Sequence, residues 1–94
     1  MIKMKIIINK CFGGFAVKYE IAEELGYGPF GAHDDGLRTC PELIKMIEEG
    51  KDVGQSYSRL VVIDISDEAT DYHISEYDGL ETLIYVVDGK LNFI

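Results

Sequence analysis

A thiol, two imidazoles and a pair of glycines are the groups in this chain from which chemistry could be built. Cys11, His33 and His73 have the right types for a nucleophile and a base, and Gly13-Gly14 directly follows Cys11-Phe12. A cysteine nucleophile needs a base within hydrogen-bond reach. Neither histidine is tied to Cys11 by sequence, so Cys11 reads as a small packing residue and a Cys11 enzyme as the outlying alternative. His33-Asp34-Asp35 in a glycine-flanked loop reads as turn chemistry rather than a metal site, which would need three or four ligands. Glu76 and Asp78 could suggest an acid–base pair, but Asp78 precedes Gly79 and is explained by a turn. No catalytic residue, metal or cofactor is expected.

Asn9-Lys10-Cys11-Phe12-Gly13-Gly14-Phe15 follows the apolar run Ile6-Ile7-Ile8 and precedes a helical spacing. A strand that enters a glycine loop and leads into a helix is a common place for an anion, because backbone amides can approach it closely. The loop is neither GxGxxG nor GxxxxGK[ST]. Lys10 flanks it, and Arg38 folded over it would suit a phosphate or carboxylate. The candidate ligand-binding set is therefore Asn9, Lys10, Cys11, Phe12, Gly13, Gly14, Phe15 and Arg38, with Phe12 or Phe15 stacking on the ligand.

The elements that must position these groups follow from periodicity. Ile2 to Ile8 reads as a strand that is apolar on both faces in its second half. Val17, Ile21 and Leu25 give a short helix ended by Gly26. Residues 26–37 read as a loop. Thr39-Cys40-Pro41-Glu42 reads as a capping box opening a helix over Thr39 to Glu49. Leu60–Ile65, Thr70–Tyr77, Leu80–Val87 and Leu91–Ile94 read as strands, and Asp78-Gly79 and Asp88-Gly89 read as two-residue hairpin turns. The expected fold class is α+β in β-α-α-β-β-β-β order. It is one domain over residues 1–94, a single mostly antiparallel sheet of about five strands with both helices on one face. Leu80–Val87 carries Ile84 and Val86 on one face and Leu83, Tyr85 and Val87 on the other. One helix layer covers one sheet face, so a two-fold homo-oligomer is expected to cover the other, with Tyr85→Glu as its probe.

Charge narrows the partners. The chain of 94 residues carries a formal net charge of −8. Between residues 60 and 89 lie Asp64, Asp67, Glu68, Asp71, Glu76, Asp78, Glu81 and Asp88, with no lysine or arginine. Such a surface repels duplex nucleic acid and suits a basic partner. Asp67, Glu68, Asp71, Glu76, Asp78 and Glu81 are the candidate partner-binding set. No apolar run is long enough for a membrane helix and no signal peptide precedes the first strand, so a cytoplasmic protein without a membrane partner is expected.

Asn9, Cys11, Phe12, Gly13, Gly14 and Phe15, then Arg38, Pro41, Leu43 and Ile44, and finally Leu60-Val61-Val62-Ile63, Asp67 and Glu76-Tyr77-Asp78-Gly79 form a pattern over most of the chain. It resembles a family of small open reading frames of phages and prophages. Ala16-Val17-Lys18 stands where that family has a serine helix cap. The resemblance implies a phage accessory protein working in the bacterial host cytoplasm by binding a host component, including immune machinery. Two binding readings follow. One is sequestration of a small anionic nucleotide signal at Gly13-Gly14. The other is an acidic mimic of nucleic acid that occupies the basic groove of a host nuclease or DNA-binding protein.

Overall fold

The computed structural model describes residues 4–28 and 30–94. Ile2, the expected start of the first strand, lies outside them. Strand β1 (Met4–Asn9) pairs antiparallel with β2 (Leu60–Ile65), with Ile7 opposite Val62. Helix α1 (Tyr19–Glu24) and helix α2 (Pro41–Glu48) lie between them in sequence. Two 3₁₀ turns, Gly31–His33 and Asp35–Thr39, order much of the segment expected to be a loop. The rest is the meander β3 (Asp71–Tyr77), β4 (Leu80–Val87) and β5 (Lys90–Phe93).

The α+β class holds, but the expected single sheet is two. β1-β2 forms one ladder and β3-β4-β5 another, with β4 central. The reason lies in β1. Ile6, Ile7 and Ile8 are all buried, and they point alternately to opposite sides. Ile7 joins the helix-side core with Val17, Ala22, Leu37, Leu43 and Ile44. Ile6 and Ile8 join Ile65 and Leu83 in a second core. A single sheet with helices on one face would leave Ile6 and Ile8 in water, each at a cost of about 1.5–3 kcal/mol. The meander instead stacks on that side of the ladder. The chain thus has three layers: helices, ladder, meander.

Both Asp-Gly turns form as expected. Asp78 and Gly79 have φ of 49° and 87°, and Asp88 and Gly89 have 52° and 73°. This doubly positive geometry matches the twist of the flanking strands.

Two local expectations shift. Helix α1 begins at Tyr19 because Val17 is drawn into a bridge with Gly54. Thr39 is not the cap of α2: it ends the second 3₁₀ turn, and Cys40 takes the cap position with no side-chain bond to the backbone. Pro41 then stands at the first helical residue, where its missing amide is harmless.

Candidate functional site

The sequence motifs converge on a buried polar node where β1, the Asp35–Thr39 turn and β4 meet. Arg38 and Glu81 form a two-pronged ion pair, with Nη1–Oε1 at 2.8 Å and Nη2–Oε2 at 2.6 Å. Glu81 is only 4% exposed. Its Oε1 also accepts the backbone amide of Asn9 at 2.7 Å. Arg38 donates further to the Ile7 carbonyl at 3.1 Å and to Asp35 at 3.2 Å, and its guanidinium lies 4.1 Å from the centre of the Phe15 ring. Burial opposes the arginine's charge, but the bonds to Glu81 and Asp35 outweigh it and hold the guanidinium above its ordinary pKa.

Asn9 is the second hub and is fully buried. Its amide nitrogen donates to the carbonyls of Cys11 and Gly79 at 2.7 and 2.8 Å. Its side-chain oxygen accepts the Arg59 amide at 2.7 Å. Lys10 reaches across to the carbonyls of Glu81 and Ile94, both at 2.9 Å.

The Gly13-Gly14 loop is pressed against this node. A β-carbon on Gly79 would lie 2.2 Å from the Gly14 amide nitrogen, and one on Gly13 would lie 2.1 Å from the Tyr57 carbonyl oxygen. Gly14 has φ of 96°, and Ser58 Oγ donates to its carbonyl at 2.6 Å. Gly79 therefore serves close contact with the Gly13-Gly14 backbone, Gly13 serves close contact with Tyr57, and Gly14 serves a positive φ. Of the expected ligand set, Asn9, Phe15 and Arg38 are brought together, and the charges of Lys10 and Arg38 are engaged within the protein. Phe15 is buried under Arg38. Cys11 is half-buried, and Phe12 stands 64% exposed.

The partner-binding set divides. Asp67, Glu68, Asp71, Glu76 and Asp78 are exposed, along the β2–β3 turn and the open edge of β3. Among the described residues none of the five forms an ion pair. Glu76 also accepts the Gly79 amide at 2.8 Å. Glu81 is corrected: it is not on the acidic surface but inside, paired to Arg38. Its signal was legible in β4, since Glu81, Leu83 and Tyr85 share a face and Leu83 is a core residue.

Two recesses border these features. An open cleft of about 590 Å³ lies between Arg38 and Thr39 on one side and Tyr72, Ile74 and Glu76 on the other. A smaller one of about 400 Å³ is lined by Tyr19, Phe30, Ala32 and His33. Phe30 is 95% exposed, and sequence reading had not singled it out. His33 bonds through Nδ1 to the Phe15 carbonyl at 2.9 Å, so neither histidine serves Cys11 as a base by any bond in the structure. Among the described residues no group of three histidine, cysteine or acidic side chains could hold a metal, and no helix is long and apolar enough to cross a membrane. No family model, curated protein or solved structure matches this chain.

Proposed function

We propose that the protein is a non-enzymatic binding module, a phage accessory that counters host defence by presenting an acidic strand edge to the basic groove of a host nuclease or DNA-binding protein. One observation carries this reading. Among the described residues Asp67, Glu68, Asp71, Glu76 and Asp78 are exposed and form no ion pair, while Arg38, which shares a cleft with Glu76, is paired to Glu81. From Asp71 to Glu76 the edge extends about 17 Å at the rise of a strand. Unpaired carboxylates on such a track attract cations over a Debye length and oppose like charge.

The rival, sequestration of an anionic nucleotide at Gly13-Gly14, must draw its cations from Lys10 and Arg38. Both are already spent on Glu81 and on backbone carbonyls. The cleft beside Arg38 also carries Asp35, Glu76 and Glu81 on its walls, which repel a phosphate.

The test has two arms. Immobilised protein is offered basic host DNA-binding proteins over a salt series, beside a variant with Asp67, Glu68 and Asp71 changed to lysine. Salt-sensitive capture that the variant loses is the expected result. Capture that survives charge reversal overturns the reading. Calorimetric binding of a cyclic or linear nucleotide that persists in the reversed variant would install the rival. Rescue of phage growth in hosts carrying defined defence systems then tests the biological assignment.

A further inference from the structure

The meander leaves one strand half-paired. β4 bonds to β3 on one side and to β5 on the other, so β3 keeps an open edge. Tyr77 and Leu80 close the Asp78-Gly79 turn, and hydrogen-bonded pairs recur at every second residue from there. Ser75 and His73 therefore bond to Thr82 and Ile84. Tyr72, Ile74 and Glu76 turn their backbone amides and carbonyls outward. Asp71 Oδ1 takes the Tyr72 amide at 2.8 Å. Among the described residues the backbone groups of Ile74 and Glu76 have no partner on this edge.

The side chains of these three residues face inward, because Tyr85, Leu83 and Glu81 opposite them lie on the inner face of β4. Tyr85 is thus packed inward, and the expected dimer probe Tyr85→Glu would damage the core instead. Tyr72, Ile74 and Glu76 line the open cleft of about 590 Å³, across from Asp35 and Arg38.

We propose that the open edge of β3 takes an extended, basic segment of a partner, which adds to the meander as a further antiparallel strand. The proposal rests on the acidic-flank reading above and specifies what that flank holds. Backbone geometry is the first support. Free amides and carbonyls at alternate residues match the period of an incoming antiparallel strand, and such an edge is a template for another chain. β3 holds no proline, lysine or arginine that would block it, and all its residues except Ile74 are exposed.

Charge selects the occupant. A second copy of this edge would bring like charge to a chain that already carries −8. A basic strand meets the opposite. Directly opposed residues of neighbouring strands share a face, with β-carbons about 4.5–5.5 Å apart. Side chains set opposite Ile74 and Glu76 thus enter the cleft, where Glu76 and the exposed carboxylate of Asp35 stand. Arg38 adds no net repulsion there, because Glu81 neutralises it. An arginine or lysine in the cleft has carboxylates for its charge and Tyr72 and Ile74 for its stem. The intervening residues stand beside His73, Ser75 and Tyr77 and need no charge. The partner chemistry is therefore an extended segment with a basic residue at every second position.

An acetylated and amidated hexapeptide of alternating arginine and threonine is the probe. Titrated into the full chain at low salt, it should bind and should protect the Ile74 and Glu76 amides from hydrogen exchange. Methylating its arginine backbone nitrogens removes the donors that face β3 and leaves every charge. That isomer should bind about tenfold more weakly, because its bonds to the Ile74 and Glu76 carbonyls are lost. The isomer methylated at the threonine nitrogens, which face away from the sheet, should bind like the parent peptide. Equal binding by the two isomers overturns strand pairing, as does binding that leaves both amides exchanging at the free rate. Absence of binding overturns it too. Each of these failures leaves the acidic-flank reading standing so long as the lysine variant loses its basic proteins, so the two failures are told apart.

Discussion

The two acidic regions of this molecule use the same side chains for opposite ends. At the node, Glu81 is buried and its oxygens are taken by Arg38 and the Asn9 amide. On the β3 flank, Asp67, Glu68 and Asp71 are exposed, and among the described residues they have no cationic partner. A buried charge must be paired and fully hydrogen-bonded to persist, so it fixes geometry. An exposed, unpaired one contributes little to stability and remains available to a partner. Burial, not residue type, separates the structural carboxylate from the candidate recognition carboxylates.

The strongest way to break that contrast is to remove one member of the buried pair. Glu81→Ala leaves a desolvated guanidinium and an orphan Asn9 amide. It should cost about 3–5 kcal/mol. Replacing both residues by methionine should cost far less than the single change, since no uncompensated charge remains. Chemical denaturation of the three proteins reads the difference. Equal losses in the single and double variants would show that the pair is not the unit of stability.

The glycine contact comes next. Gly79→Ala drives a β-carbon into the Gly13-Gly14 backbone and also strains a φ of 87°. Gly14→Ala meets nothing within 4 Å and pays only for a φ of 96°. Strain of this kind costs of order 1–3 kcal/mol, so Gly79→Ala should exceed that range and Gly14→Ala should fall within it. Thermal melts of the two variants rank them. The reverse order would mean that the turn and the loop do not touch as described.

Changing Asp67, Glu68 and Asp71 to lysine, and leaving Glu76 to hold the Gly79 amide, sharpens the other side of the comparison. Exposed, unpaired charges usually alter stability by less than about 0.5 kcal/mol each. The reversed protein should therefore melt near the parent, while its capture of basic proteins is lost. A collapse in melting temperature would place these carboxylates with Glu81 as structural.

Much of this was legible in the chain. Strand alternation marked β1 and β4, and Asp-Gly marked both hairpins, because these signals act through neighbours in sequence. Arg38 and the Asn9 loop stood out in the sequence as ligand-binding groups; in the structure they bond within the protein, to partners 43 and 70 or more residues away. No local rule couples Asn9 to Gly79. The β4 pattern did hold a clue, since a glutamate in register with a core leucine must find a cation. The split into two sheets was also encoded, in a β1 that is apolar on both faces and needs cover on both. What sequence could not supply was which element provides the second cover.

The smallest effect concerns the start of α2. A threonine cap is worth about 1 kcal/mol, and Thr39 would carry that value if it capped the helix. It is exposed at the end of a 3₁₀ turn, so Thr39→Ala should shift stability by less than about 0.5 kcal/mol. The chemistry at this terminus belongs to Glu42. Its own backbone amide and then the Cys40 thiol, which donates at 3.2 Å, hold its carboxyl below the ordinary value of 4.5. A carboxyl whose folded pKa is depressed stabilises the fold above its unfolded pKa. That contribution is lost as pH falls through the folded value. The parent should therefore lose stability between neutral pH and the region below 4.5 slightly more than Glu42→Gln does, with Thr39→Ala following the parent. Denaturation series across that window compare the three. A Glu42→Gln curve parallel to the parent would remove the terminus from the acid response, and a loss near 1 kcal/mol in Thr39→Ala would restore threonine as the cap.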